Sequence, residues 1–424
     1  MLVRVSHSEG RTTLADYRAA LTAHGSRRPV VASALARLPI AMIGISALLY
    51  VQRETGSFAA AGLVSASSLV GVSVGAVVQG RLIDRYGPTR PLLGVVALFV
   101  SSMAALALAI EAHAATFVLV VLAAATGLSE PMIGSASRAL WTKLLPEGPA
   151  RNAAFSYEAI SMEVFFILGP GIAGLLITAP WPGTGMVVGA AAMATGALAF
   201  ALSPAVRAWG PAPRGKSRLL GALASPGMRT LAVAALGFGM VIGFVEVAVP
   251  AAATESGHAA VSGLLLSAWS LTSVAFGVAY SLRPWPRRLG LRLPALLGGF
   301  GALVALLALP SSLQPSSLWG LASLMLLAGA LITPQSTTHS TAIEVVAPPG
   351  TAAEAFGWVL TAVTLGLAAG QSTSGYLVEH GGPSRSFLAA GAAGVVLAVV
   401  VWLMRGTVGK RTEEPTPGSE LVGV

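Results

Sequence analysis

The 424-residue sequence contains no cysteine, and only 10% of its residues are charged. Without cysteine the chain can form no disulfide and has no thiolate for catalysis or metal binding. Soluble domains carry about 25% charged residues. The low charge, together with 54% hydrophobic residues, excludes an ordinary soluble protein and indicates an integral membrane protein. The first 29 residues hold five arginines and no apolar core, so we do not expect a secretory signal peptide there.

Motifs for nucleotide chemistry and catalysis are also missing. The sequence contains no phosphate-binding glycine loop, no nucleophile constellation and no pair of zinc ligands at ligand spacing. We therefore expect neither an enzyme nor a bound cofactor or metal, and a proton gradient is the expected driving force.

What is present is a series of long apolar runs. A helix needs about 20 apolar residues to cross a bilayer, whereas the strands of a membrane barrel show about ten alternating residues. The runs therefore predict an all-α fold with twelve transmembrane helices. They lie at residues 30–51, 57–80, 91–110, 114–137, 153–178, 184–204, 229–253, 259–282, 292–310, 316–338, 353–379 and 384–404.

The polar segments set the orientation of these spans. They are a tail at 1–29, a linker at 205–228 rich in proline, glycine and basic residues, and a tail at 405–424. Of the 26 lysines and arginines, 23 fall on one side, which the positive-inside rule places in the cytoplasm together with both tails. This distribution explains the net charge of +9 better than a nucleic-acid partner does. The abundance of arginine and alanine indicates a GC-rich bacterial genome, and hence a bacterial inner membrane.

One charged segment, GRLIDRYGPTR, separates the second and third apolar runs. It is similar to the signature loop between the second and third helices of the major facilitator superfamily, G-x-L-x-D-R-x-G followed by basic residues. The residues that match are Gly80, Leu82, Asp84, Arg85, Gly87 and Arg90.

The two halves of the sequence repeat at an offset of 201 residues. The matching pairs are Phe155 and Phe356, Gly169 and Gly370, and Gly174 and Gly375. The resemblance implies two six-helix bundles, 30–204 and 229–404, that hold substrate between them near the midplane and work by alternating access. A degenerate copy of the signature loop, Arg283–Arg288, lacks the aspartate.

The resemblance also implies a role for Asp84. In the family this aspartate contacts neighbouring helix ends and helps to latch the cytoplasmic side, so we expect it to cap a helix and to pair with an arginine. Arg138, near the cytoplasmic end of the fourth span, is the candidate partner. The alternative is that the loop only fixes topology and shape.

Charged residues inside the spans indicate functional or paired sites, because burying them in hydrocarbon costs several kcal/mol. Arg37, Glu130 and Glu163 are predicted to cluster near the cytoplasmic end of the first half, with Glu158 nearby. The cluster would either couple transport to a proton or form a permanent ion pair. Glu246, in the outer half of span seven, has no obvious cationic partner; it would either carry a proton or extend toward the outer surface.

A glycine-proline motif lies in the fifth span. Gly169, Pro170 and Gly174 are similar to part of the antiporter signature of the drug-exporting branches, G-x-x-x-G-P-x-x-G-G. Phe165 and Ala173 depart from that pattern. Ala123 stands where such antiporters carry a buried arginine, so any coupling machinery must differ. Small residues here also allow close helix contact, which is the alternative role.

Polar and aromatic side chains indicate a substrate cavity. The candidates are Trp269, Thr333, Gln335, Trp358 and Gln371, although each tryptophan is equally explained by packing. His339 is expected at the cytoplasmic rim, without carboxylates at metal-ligand spacing.

These observations predict a monomeric secondary transporter that exports a small amphipathic compound in exchange for protons. The alternatives are proton-linked uptake of a sugar or organic acid, with Arg37 binding a carboxylate, and a sensor that binds ligand without moving it. Fold alone does not identify the substrate.

Overall fold

The computed structural model describes residues 13–210, 221–281, 288–313, 316–348 and 351–408. Within these ranges every regular element is a helix. Much of the predicted linker, nearly all of the degenerate loop copy Arg283–Arg288 and most of the carboxyl-terminal tail lie outside the described residues.

Twelve membrane-spanning helices follow one another in the described part of the chain, numbered here α1 to α12. The first half holds α1 (Arg27–Thr55), α2 (Phe58–Tyr86), α3 (Thr89–Glu111), α4 (Thr116–Leu144), α5 (Pro149–Leu176) and α6 (Thr184–Ala201). The second half holds α7 (Pro226–Glu255), α8 (Val261–Ser281), α9 (Leu289–Ser311) and α10 (Leu318–Val346), then the continuous helix Ala352–Leu403. Gly382, at φ +76°, divides that helix into α11 (352–381) and α12 (383–403). The predicted all-α fold with twelve spans is confirmed.

Several spans are interrupted, and most of the interruptions lie close to a proline. The helix α1 consists of Arg27–Arg37 and Pro39–Thr55, and α4 of Thr116–Leu128 and Ile133–Leu144. The helix α10 consists of Leu318–Gly329 and Ile332–Val346. Proline lacks the backbone N–H and clashes with the preceding turn, so Pro39, Pro131 and Pro334 locally disrupt the helical hydrogen bonds.

A short helix, Leu14–Thr22, precedes α1 within the segment predicted as a basic tail. Its amino terminus is a capping box, because the Thr13 N–H donates to Asp16 Oδ2 (2.8 Å) and the Asp16 N–H donates to Thr13 Oγ1 (3.4 Å). Ala20 is buried in a cluster with Trp141 and Ala154. This part of the tail is therefore packed against α4 and α5.

The chain divides into two compact units. One comprises Met1–Tyr50 and Gly71–Arg214, and the other comprises Val51–Val70 and Gly215–Val424. The predicted bundles, 30–204 and 229–404, stay a prediction.

The first turns of α2 lie in the second unit. Glu379, near the end of α11, accepts hydrogen bonds from the Ser57 hydroxyl and from the Ala59 N–H (2.9 Å). The first N–H groups of a helix have no partner inside it, and they carry partial positive charge. The Glu379 carboxylate therefore caps α2.

Close helix contacts in both units depend on glycine. In the first unit, a Cβ added to Gly196 of α6 would lie 2.7 Å from the carbonyl oxygen of Ala32 in α1. In the second unit, a Cβ added to Gly243 of α7 would lie 3.0 Å from the backbone nitrogen of Gln371 in α11. Small residues permit this approach, as is usual where membrane helices cross closely.

Candidate functional site

The signature segment is mostly helical, which corrects the expected loop. The helix α2 continues to Tyr86, so Gly80, Asp84 and Arg85 lie in its last turns, and only the two residues at 87–88 separate it from α3. Gly87 adopts φ +75°, the left-handed conformation that commonly ends a helix. The stretch from Gly80 to Tyr86 contains no proline, so the helix extends beyond the apolar run.

Asp84 and Arg138 are both exposed side chains. The ion pairs among the described residues join Arg37 to Glu158 and Arg151 to Glu147. The structure therefore does not form the expected pair between Asp84 and Arg138. Within the described part of the chain no backbone N–H donates to the Asp84 carboxylate, so it caps no helix there. The gating role of these residues and of exposed Arg90 stays a prediction.

Arg37 forms a buried ion pair with Glu158. The guanidinium Nη1 contacts the carboxylate, and Nη2 donates to the backbone oxygen of Glu158 at 3.0 Å. Arg37 is 3% exposed and Glu158 is 1% exposed. The predicted cluster with Glu130 and Glu163 is wrong in its partners, because α5 turns Glu158 toward α1 instead.

The Glu158 carboxylate has further partners on α4. Its Oε1 accepts hydrogen bonds from the Ser137 hydroxyl (2.6 Å) and from Trp141 Nε1 (3.0 Å). Sequence reasoning missed both donors. Their four-residue spacing places them on one face of α4, and that was the available signal. The network joins α1, α4 and α5, and within the described residues it leaves the buried Nε of Arg37 without a hydrogen-bond partner.

The interruption of α4 is held by a second residue that sequence reasoning missed, Gln79 of α2. The Gln79 amide donates to the carbonyl oxygens of Leu128 (3.2 Å) and Glu130 (2.8 Å), and its oxygen accepts from the Met132 N–H (3.1 Å). Gln79 is 2% exposed. It therefore supplies hydrogen bonds to backbone groups at the break in hydrocarbon.

The predicted acids Glu130 and Glu163 are both half-buried. Neither forms an ion pair with a residue that the structure describes. Their participation in proton coupling stays a prediction.

Glu246 of α7 contacts α11. Its carboxylate accepts a hydrogen bond from Gln371 Nε2 at 2.8 Å. Glu246 is half-buried, and within the described ranges no basic side chain forms an ion pair with it. The Gln371 oxygen is buried and accepts no hydrogen bond there. The structure thus brings together one predicted coupling residue and one predicted cavity residue.

The remaining cavity candidates all lie in the second unit. The Thr333 hydroxyl of α10 lies 2.7 Å from that of Ser273 in α8, a partner that sequence reasoning missed. Trp269 is buried and packs edge-on against Phe300 at 5.7 Å between ring centroids. The contact with Phe300 supports a packing role for Trp269. The other tryptophan candidate, Trp358, is half-buried.

His339 is not at a rim, contrary to expectation. It is 4% exposed, and its Nε2 lies 3.1 Å from Nε2 of Gln335 one turn earlier in α10. Phe238 of α7 meets the imidazole edge-on at 5.7 Å between ring centroids. The helix α10 turns this side of itself toward α7, which the sequence did not reveal.

The glycine-proline motif lies at a helix contact. A Cβ added to Gly169 would lie 3.1 Å from the Ala41 Cβ and 3.2 Å from the Met42 nitrogen of α1. Pro170 and Gly174 are buried in α5. Close packing of α5 on α1 therefore explains the need for glycine at position 169.

Comparison with solved structures shows the same fold in transporters. A mutant of the nucleoside transporter NupG is similar with a TM-score of 0.69 and 15% identity, over 89% of this chain and 99% of that one. A mutant of the peptide transporter POT is similar with a TM-score of 0.69 and 14% identity, over 91% of this chain and 95% of that one. A third similar structure is a bacterial homologue of the human lysosomal transporter Spinster, in an inward-facing and unoccupied conformation. Its TM-score is 0.64 and its identity 15%, over 92% of this chain and 98% of that one.

The sequence itself places the chain in a family. No curated protein matches it. The family model described as Major Facilitator Superfamily matches residues 30–370, most of the chain. Together with the twelve-helix fold, this match shows that the chain is a multi-pass membrane transporter that belongs to the Major Facilitator Superfamily.

Proposed function

We propose that this protein is a secondary transporter of a bacterial inner membrane that couples export of a small amphipathic compound to proton entry by alternating access. The observation that carries the proposal is Glu246, a carboxylate inside α7 whose partner is the neutral amide of Gln371. A carboxylate in hydrocarbon without a cation is costly. Uptake of a proton removes that cost.

The Gln371 amide suits both charge states of Glu246. In the arrangement described, its NH₂ donates to the carboxylate while its own oxygen accepts no hydrogen bond from the described residues. An amide carries two donors on one side and an acceptor on the other. Rotation of the terminal amide would present the oxygen to a protonated carboxyl group, so the pair accommodates the proton without a charged partner.

The Arg37 network is a weaker candidate for coupling. The Glu158 carboxylate is bound by Arg37, Ser137 and Trp141, all of them buried. A carboxylate satisfied in this way has little to gain from a proton. The same contacts occupy Arg37, so this residue does not support the alternative of carboxylate uptake.

Export is favoured over uptake by the glycine-proline motif of α5. Gly169, Pro170 and Gly174 keep part of the antiporter pattern, and Gly169 lies at a helix contact at which a small residue is required. In the second unit, the Thr333 hydroxyl beside Ser273 and the buried ring of Trp269 offer a polar and an apolar group. Such a combination suits an amphipathic compound.

The test is transport in liposomes that contain a pH-sensitive dye. A proton gradient is imposed, and lipophilic cations, neutral drugs, sugars and organic acids are added in turn. We expect proton flux with cations or neutral drugs, and loss of that flux in Glu246→Gln. Glu255→Gln is the matched control, because Glu255 lies on the same helix and is exposed.

Other results would overturn the proposal in distinct ways. Flux that appears only with sugars or organic acids would assign the protein to metabolite uptake. Ligand binding without flux of any compound would identify a sensor. Proton-coupled flux that persists in Glu246→Gln would exclude Glu246 as the proton carrier, and Glu130→Gln and Glu163→Gln would then be compared.

A further inference from the structure

A groove opens between α9 and α12 in the second unit. Its volume is about 420 Å³. The residues that line it are Leu291, Pro294, Ala295, Gly298, Val395, Ala398, Val399 and Trp402. On each helix the lining residues lie at positions i, i+3, i+4 and i+7, so each helix contributes a single face. The groove is apolar along its whole length.

The depth of the groove follows from short side chains over a tight helix contact. A Cβ added to Gly298 would lie 3.3 Å from the Ala398 Cβ, so the two helices nearly touch at that level. Ala295 is exposed and extends only one carbon from the backbone. The larger Val399 and Trp402 are about half exposed, and they form one wall.

The groove is somewhat shorter than the hydrocarbon thickness of one membrane leaflet. Seven residues separate its first and last members on each helix, which corresponds to about 10 Å at 1.5 Å per residue. One leaflet contributes about 15 Å of the hydrocarbon core. The length of the groove therefore matches the part of one acyl chain that lies nearest its headgroup.

Each lining row continues into an arginine at the same end. Arg288 lies three residues before Leu291, at the start of α9, and is exposed. Arg405 lies three residues after Trp402, just beyond the end of α12, and is also exposed. Arg288 is the residue that precedes α9, and the backbone of Arg405 lies against Gly290 of the same helix. Both arginines therefore lie at the end of the groove that the charge distribution predicts to be cytoplasmic.

Arg405 is held in position by two contacts. Its guanidinium carbon lies 4.0 Å from the centre of a Trp402 ring, and its Nη1 donates to the Trp402 carbonyl oxygen at 2.9 Å. The backbone beside it packs against α9, since a Cβ added to Gly290 would lie 2.8 Å from the Arg405 oxygen. An arginine fixed on an aromatic ring at the membrane interface is suited to bind phosphate.

We propose that this groove binds an anionic phospholipid. One acyl chain lies in the apolar groove, and the phosphate group contacts Arg405 and Arg288. The arginines favour a lipid with net negative charge over a zwitterionic one, because each basic side chain near the surface contributes to the attraction. The proposal is independent of the substrate and of proton coupling.

The test uses the full-length protein, released from nanodiscs of phosphatidylglycerol or of phosphatidylcholine and examined by native mass spectrometry. We expect roughly 25-fold greater retention of phosphatidylglycerol, because each of the two arginines contributes about fivefold. Arg405→Gln should reduce that preference to about fivefold. Arg207→Gln, which removes an exposed charge from the first unit, should preserve it.

A second variant tests the groove itself. Ala295→Leu fills the groove without changing charge, and we expect it to lower retention of phosphatidylglycerol at least as much as Arg405→Gln does. Ala104→Leu, at an exposed position of α3, is the matched control.

Four outcomes would overturn the proposal. The first is equal retention of the two lipids by the unmodified protein, and the second is unchanged retention in both variants. The third is displacement of the lipid by inorganic phosphate, which would mean that only the anion binds. The fourth concerns a dimer. A lipid-free dimer that Ala295→Leu disrupts would instead assign the groove to a second copy of the chain.

Discussion

Arg37 of α1 and Glu158 of α5 form a buried ion pair, although 121 residues separate them. Each is at most 3% exposed. Breaking such a pair by removing one partner leaves an uncompensated buried charge, whereas replacing both partners with apolar residues removes the desolvation cost as well. The pair thus predicts opposite consequences for single and double substitution.

We expect Arg37→Met to destabilise the protein by about 3–5 kcal/mol, since Glu158 would keep its charge without its cation. The double variant Arg37→Met with Glu158→Leu should recover most of that loss. Thermal unfolding in detergent measures both effects. The control is Glu147→Gln, which removes the exposed partner of a pair with Arg151 at 3.5 Å; its expected effect is below about 1 kcal/mol. A double variant no more stable than Arg37→Met would contradict this interpretation.

Gln79 stabilises the interrupted helix α4 in a way that a nonpolar residue of similar size cannot. Gln79→Leu would leave the carbonyl of Glu130 and the N–H of Met132 without their side-chain partner. We expect a loss of about 1–3 kcal/mol. Hydrogen exchange should accelerate at the amide of Met132 more than in the middle of α3. Unchanged exchange there would show that these hydrogen bonds do not hold the break.

Two helical glycines should respond differently to a larger side chain. Gly169→Val places branched carbons where even a Cβ would lie 3.1 Å from Ala41, so we expect a loss of about 1–3 kcal/mol from overpacking. At Gly80, no atom lies within 4 Å of an added Cβ. Gly80→Ala should therefore raise stability by up to about 1 kcal/mol, because alanine favours the helix. Thermal unfolding compares the two, and equal destabilisation would contradict the packing role of Gly169.

The capping box before α1 predicts a local pH dependence. Hydrogen bonds from the hydroxyl and the N–H of Thr13 lower the pKa of Asp16 below its ordinary value of 3.8. The contribution of Asp16 to the short helix is therefore complete above that value and is lost as the pH falls through the lowered pKa. NMR titration should show the amides of Leu14–Thr22 changing below pH 3.8. The same change in Asp16→Asn would show that another group is responsible.

The twelve spans were predictable because each depends on a local property, a run of about 20 apolar residues. The ends of the spans were less accessible. The apolar run that predicted α2 stops at residue 80, but the helix continues to Tyr86, since a helix projecting into water needs only residues that tolerate it. Hydropathy therefore predicts where the chain crosses the bilayer, but not where the helix ends.

The partners within the site were less predictable than the residues. The sequence identified Arg37, Glu130, Glu158 and Glu163 as charges in hydrocarbon, and it identified Gln371 and Glu246 separately. It did not show that Ser137 and Trp141, although they share a face of α4, donate to Glu158, or that Gln371 donates to Glu246. Such contacts depend on how neighbouring helices cross, and a single sequence without those crossings cannot supply them.

The pairing of Arg37 shows most clearly what the sequence determined and what required the tertiary structure. Five residues separate Glu158 from Glu163, which places them about 140° apart around α5 at 3.6 residues per turn. The sequence by itself determined that the two carboxylates point in different directions and that at most one of them faces α1. Only the tertiary structure decided that this one is Glu158, because the rotation of α5 is set by its close contact with α1 at Gly169 and by the donors of α4.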